Sequence, residues 1–183
     1  LKKKALFFSR IHEKKGILEL LNSWSIIKPT NWILKIYGPI SDISYMNKIK
    51  AKISELYLEN SVFIYDPVFE YDQKEDIFLN SDCFLLPSKS ENFGMSIVEA
   101  LSYGLPVLTT EETPWKILKE INAGKIIKFS QENLTSSLKE ITSMSNEELK
   151  IMGKKGREYL KENYDIDKII LDYIKFYKEV LNK

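Results

Sequence analysis

The sequence predicts an α/β domain, a doubly wound parallel sheet of about six strands with right-handed crossovers and helices on both faces. Three observations point there. Short apolar runs alternate along the chain with longer stretches whose apolar residues recur at helical spacing. The runs, such as Cys83-Phe-Leu-Leu86 and Leu105-Pro-Val-Leu108, are apolar throughout, as in strands buried on both faces. Turn pairs such as Gly38-Pro39 and Asp66-Pro67 punctuate the strand ends.

In chain order, Ala5-Leu-Phe-Phe8 reads as the first strand, followed by the charged loop Ser9–Gly16. From Ile17, the residues Leu18, Leu20, Leu21, Trp24 and Ile27 mark a helix that Pro29 ends. Trp32–Tyr37 is the next strand, and a helix is expected from about Ser44 to Leu58 with Ile49, Ile53 and Leu56 on one face. Val62–Tyr65 is a strand, the loop 66–71 follows it, and Lys74–Asn80 reads as a short helix. Beyond the strand Cys83–Leu86 come a polar loop, an amphipathic segment beginning near Phe93 or Gly94, and the strand Leu105–Leu108. Thr113-Pro114-Trp115 resembles a helix start, and Lys125–Phe129 an edge strand. Helices are expected over Glu132–Ile141 and Asn146–Glu162, the latter opened by a capping box of Ser145 and Glu148. A last helix, Asp167–Leu181, carries Ile169, Ile170, Tyr173, Phe176, Tyr177 and Val180 on one stripe, which needs something to pack on.

Composition narrows the function classes. At 183 residues the chain holds one well-cored domain and is short for two. With 44% apolar and 12% aromatic residues it is an ordinary globular sequence rather than a disordered one. Lys+Arg 27 against Asp+Glu 26 leaves +1, so bulk charge calls for no nucleic acid. The single cysteine, Cys83, cannot form an internal disulfide and reads as a buried core thiol. No apolar run approaches the roughly 18 residues of a membrane helix, and no signal peptide is visible. The expectation is a cytoplasmic protein, with peripheral attachment to the inner face of the membrane left open. The early strand suggests a piece excised from something longer.

The chemistry concentrates in Pro87-Ser-Lys-Ser-Glu91-Asn-Phe-Gly94-Met-Ser-Ile-Val-Glu99-Ala-Leu-Ser-Tyr-Gly104. In open α/β sheets ligands bind beyond the carboxyl ends of the strands, where N–H groups at a helix start favour an anion. Gly94 lets a ligand approach the backbone, and Ser96 adds a hydroxyl near the positive helix end. Glu91 and Glu99 frame this anion site, and a carboxylate accepts from two neighbouring hydroxyls. Phosphate in the middle with sugars on either side describes a nucleotide-sugar. Taken singly, each Glu is an ordinary surface residue; the pair with Phe-Gly and flanking strands is what carries the reading. The loop 9–16 brings fixed positive charge, Arg10 as a fork for phosphate oxygens and Lys15 as a point charge ahead of the helix. His12, the lone histidine, reads as an exposed loop residue. The loops 9–16, 66–71, 87–94 and 109–115 all follow strands and should open on one edge.

These residues resemble the carboxyl-terminal half of retaining GT-B glycosyltransferases, family four (glycosyl transferases group 1), over nearly the whole chain. Ser9-Arg10-Ile-His-Glu-Lys-Lys15-Gly looks like that family's Arg…Lys-Gly loop, and Glu91-Asn-Phe-Gly94…Glu99 with Gly104-Leu-Pro106-Val looks like its two-glutamate signature. Pro87-Ser88 and Thr113-Pro114-Trp115 resemble bacterial members that build surface polysaccharides. Ser9 and Asp66 stand where the family often has glycine.

The resemblance implies a Rossmann-like domain, residues 1–183, that binds a nucleotide-sugar, UDP-linked first and GDP-linked second. It further implies transfer with retention to a glycan or lipid-linked acceptor. Arg10 and Lys15 would hold the diphosphate, Glu91 would sit by the donor sugar, and Glu99 would hold the ribose. The backbone of Asn92, Phe93, Gly94 and Met95, with Ser96, would line the donor. No tightly bound cofactor or metal is implied. An amino-terminal acceptor domain would complete the enzyme, with the terminal helix 167–181 packing toward it, so this chain alone should transfer little or no sugar. Two alternatives are a sugar-nucleotide epimerase, which would lack this Arg/Lys and two-glutamate set, and a non-catalytic assembly module. Asp165-Ile-Asp167 spells an acid-x-acid metal pattern, but Asp167 before a helix reads as an N-cap.

Overall fold

The computed structural model describes residues 2–181. Within them a parallel six-stranded sheet runs in the order β3-β2-β1-β4-β5-β6. The strands are β1 (Lys3–Phe8), β2 (Trp32–Tyr37), β3 (Val62–Tyr65), β4 (Cys83–Leu86), β5 (Val107–Thr110) and β6 (Gly124–Ile127). The helices are α1 (Ile17–Ile27), α2 (Ile43–Glu55), α3 (Tyr71–Leu79), α4 (Met95–Ser102), α5 (Ile117–Glu120), α6 (Gln131–Ser143), α7 (Asn146–Asn163) and α8 (Ile166–Leu181). A 3₁₀ turn at Glu13–Lys15, which apolar periodicity does not mark, precedes α1.

The apolar strands lie where their composition demands. β4 and β5 are buried at every position, and β1 from Ala5 to Phe8. β6 forms one edge of the sheet, as expected. Cys83 is fully buried, and burial pushes its thiol pKa up, in keeping with a core residue. Helix α1 buries Ile17, Leu20, Leu21 and Trp24 and packs against α6. Each such large side chain contributes about 1.5–3 kcal/mol of transfer free energy. Polar groups in that interface are matched: Ser23 Oγ meets Thr135 Oγ1 at 2.9 Å, and Gln131 Nε2 donates to Ser23 Oγ at 2.6 Å. The Ser145/Glu148 capping box opens α7 as expected, and the Ser145 N–H, with the Ser145 side chain, holds the Glu148 carboxyl below its usual pKa.

Several sequence expectations shift: β5 runs over Val107–Thr110 rather than Leu105–Leu108, and α5 starts at Ile117, past Thr113-Pro114-Trp115. α3 starts at Tyr71 rather than Lys74, so the loop after β3 is shorter than 66–71. His12 is half-buried rather than exposed, because its Nδ1 accepts from Lys14 N at 3.1 Å and caps the 3₁₀ turn. α8 begins at Ile166, which puts Asp167 inside the helix and Asp165 before it. The Asp167 side chain, and with it the capping expectation, lies outside the described residues, as does that of Ile169. The other stripe residues, Ile170, Tyr173, Phe176, Tyr177 and Val180, are exposed.

Strand order reverses between β1 and β4, which are neighbours although β2 and β3 intervene in sequence. At such a switch point the loops leaving the two strands diverge to opposite faces and leave a crevice. Here those loops are 9–16 and 87–94.

Candidate functional site

The two loops are stitched together by backbone. Lys89 N donates to Lys14 O at 2.7 Å, and the buried Ser88 donates from Oγ to the same carbonyl at 3.2 Å. Gly16 makes this approach possible: at φ 72° it turns into α1, and a Cβ there would lie 2.2 Å from Pro87 O. The end of β5 and the loop after it, 111–115, close from the other side. Thr110 Oγ1 donates to Ser88 O at 2.5 Å, and Glu91 N donates to Glu112 O at 3.2 Å. Trp115, almost wholly buried, donates from Nε1 to Phe93 O at 2.5 Å, its ring 5.4 Å from Phe93 and 5.5 Å from Tyr164.

Two helices begin in the crevice, and both begin on glycine. Gly16 is the N-cap of α1 and Gly94, at φ 80°, that of α4. Elsewhere α2, α6 and α7 are capped by the side chains of Asp42, Ser130 and Ser145. A glycine cap has no side chain to occupy the first N–H groups, which stay available to an anion with the helix dipole behind them.

The residues singled out in the sequence meet around this point. A cavity of about 320 Å³ is lined by Arg10, Lys15, Glu91, Gly94, Met95, Ser96 and Glu99, together with Phe8, Ser9, Pro39 and Lys74. A second, of about 290 Å³, shares Arg10, Lys15 and Glu91 with it and adds His12 and Asn92. Phe93 lines neither; it faces Trp115, and only its carbonyl serves the loop. A larger cavity, about 510 Å³, lies between α4 and α7 at Val98, Arg157 and Tyr164, with no lining residue from loops 9–16 or 87–94.

Each carboxylate has a lysine partner. Lys15 Nζ is bound to Glu91 Oε1 with both side chains nearly buried, 12% and 13% exposed. Lys74 Nζ is bound to Glu99 Oε1, at 26% and 30%. Sequence reasoning named Lys15 but not as the partner of Glu91, and missed Lys74 altogether. Tyr37 and Tyr65 stack with centroids 4.6 Å apart at the carboxyl ends of β2 and β3. Burial, and then the neighbouring Tyr65, raises the Tyr37 phenol. Among the described residues no group of three His, Cys, Asp or Glu is placed to hold a metal ion. No described helix is long and apolar enough to cross a membrane.

Comparison with known proteins agrees with this architecture. The model of the family "Glycosyl transferases group 1" matches residues 2–159. An uncharacterized glycosyltransferase of Haemophilus influenzae is 27% identical over 180 residues, 93% of this chain and 48% of that protein. The C-terminal domain of a glycosyl transferase group 1 family protein from Francisella tularensis superposes with a TM-score of 0.80 at 17% identity, covering 90% of this chain and 87% of that one. HepE from Anabaena, in complex with UDP, superposes at 0.85 with 19% identity, covering 97% and 49%. At these identities the superpositions show the shared fold. The chain spans about half the length of the curated relatives it matches along most of its own length. A crevice at the switch point of a Rossmann-like sheet, the loop glutamate and the α4 glutamate that line it and a family match over most of the sequence lead to one statement: this chain belongs to the glycosyl transferases group 1 family, with the fold of a GT-B carboxyl-terminal domain.

Proposed function

We propose that this chain is the donor-binding domain of a retaining glycosyltransferase, which moves a sugar from a UDP-sugar to a glycan or lipid-linked acceptor in bacterial surface polysaccharide synthesis. The observation that carries the reading is the convergence of Arg10, Lys15, Gly94, Ser96, Glu91 and Glu99 on one cavity. HepE, which shares the fold, is a UDP complex, and that supports UDP as the first carrier to test.

As the bond from the anomeric carbon to phosphate oxygen breaks, negative charge grows on the departing diphosphate. Lys15, held by Glu91, and the start of α4 meet that charge with donors already in place, and the exposed Arg10 at the cavity rim adds a second cation. Lys15 has three ammonium hydrogens, so it can keep Glu91 and still donate to a phosphate oxygen. Glu91 thereby fixes Lys15 and stands beside the donor sugar. Glu99 accepts from the ribose hydroxyls. Because two side-chain cations supply the positive charge, the reading requires no tightly bound metal.

An amino-terminal domain would bring the acceptor and cover the exposed apolar residues of α8. The half-length span against curated relatives supports that division.

Calorimetry or NMR titration of the chain with UDP and GDP tests the proposal. UDP binds, and Lys15→Ala and Glu99→Ala each weaken it by about tenfold or more, as expected for lost charge-assisted hydrogen bonds. A wild-type chain silent to every nucleotide would favour the non-catalytic assembly module.

A further inference from the structure

Lys74 belongs to α3, outside every motif that marks the site, yet it lines the donor cavity. Its ammonium is held twice, by Glu99 Oε1 and over the Phe8 ring, 5.2 Å from the centroid. The two helices it connects flank β4: α3 leads into the strand and α4 leaves it. A glutamate on a helix surface has three side-chain torsions to sample, and an exposed one samples them. Here the contact to Oε1 takes that freedom away and leaves Oε2 open to accept from a pair of vicinal hydroxyls.

Resting on the nucleotide reading above, we propose that Lys74 is a positioning residue that aims Glu99 at the ribose and so makes the site select ribonucleotides over their deoxy analogues. The rival role, direct phosphate ligation, is less well matched to an ammonium already engaged by Glu99 and the Phe8 face.

NMR titration with UDP and with 2′,3′-dideoxy-UDP separates the two roles. The wild-type chain prefers UDP by about tenfold, the worth of hydrogen bonds to a charged acceptor. In Lys74→Gln the preference falls to about twofold or less while dideoxy-UDP affinity stays within about threefold, which also shows that the fold is intact; Lys74→Arg keeps the preference. Adding Lys74→Gln to Glu99→Gln changes the preference no further, since residues acting through one contact are not additive. An equal loss for both ligands in Lys74→Gln, or an undiminished preference, overturns the proposal and leaves the nucleotide reading standing. A wild-type chain that binds both alike overturns this inference alone; one that binds neither overturns that reading and this inference with it.

Discussion

The two lysine–glutamate pairs of the crevice have the same chemistry and different settings. Lys15–Glu91 is nearly closed to water and rests on loops tied to each other through Lys14, Ser88, Lys89 and Glu112. Lys74–Glu99 is about twice as exposed and bridges two helices by side chains. A pair with little water around it loses more when one partner goes, because the other charge is left desolvated. Under the proposed function the deep pair would face the diphosphate, where charge changes during reaction, and the shallow pair the neutral hydroxyls. In both, the glutamate fixes the lysine as much as the lysine fixes the glutamate.

The sharpest challenge to that contrast is Lys15→Ala in the complete protein, expected to lower kcat about 100- to 1,000-fold, the usual cost of removing one preorganised donor to developing charge. Steady-state kinetics beside Lys74→Ala is the comparison: Lys74→Ala should act mainly on donor KM, and equal kcat losses would erase the distinction between the pairs. Gly16→Ala attacks the support of the deep pair. Its Cβ would collide with Pro87 O at a positive φ, so denaturant unfolding should show a loss of about 3 kcal/mol. Trp115→Phe keeps an aromatic ring but loses the pyrrole half of the indole and the donor to Phe93 O, the carbonyl of a residue between Glu91 and Glu99. About 2–3 kcal/mol of stability should go, from the lost hydrogen bond and the space left by the smaller ring, together with some UDP affinity, since Phe93 links the Glu91 loop to α4. The smallest effect is expected at Phe176→Ser on α8, where the side chain is exposed; the unfolding free energy of the chain should move by less than about 0.5 kcal/mol.

The sheet was legible because buried parallel strands leave an all-apolar signature, as Cys83–Leu86 does. α1 was bounded correctly by its periodicity and by Pro29. The start of α3 was not, because Tyr71, Asp72 and Gln73 are all exposed and give no apolar rhythm. Glu91 and Glu99 were visible through the pattern around them, Phe93-Gly94 and the flanking strands. Lys74 was invisible for a physical reason. Its partner lies 25 residues further on and its own helix carries no marker, so only the packing of α3 beside α4 brings the charges together. Trp115 could be read as a residue near a helix start but not as the donor to a carbonyl 22 residues back. A lone histidine in a lysine-rich stretch looked free to solvent, and its use as a cap for its own 3₁₀ turn required the turn to be seen.

The indole of Trp115 packs against both Phe93 and Tyr164, the residue that caps the end of α7 two positions before the terminal helix. Trp24 and Trp32 sit elsewhere, their ring nitrogens toward Ser61 and Thr142. The protein thus carries its own optical probe: emission from the Trp115 indole is expected to report on movements of Phe93 and Tyr164, and a fluorescence titration follows them without attaching a dye.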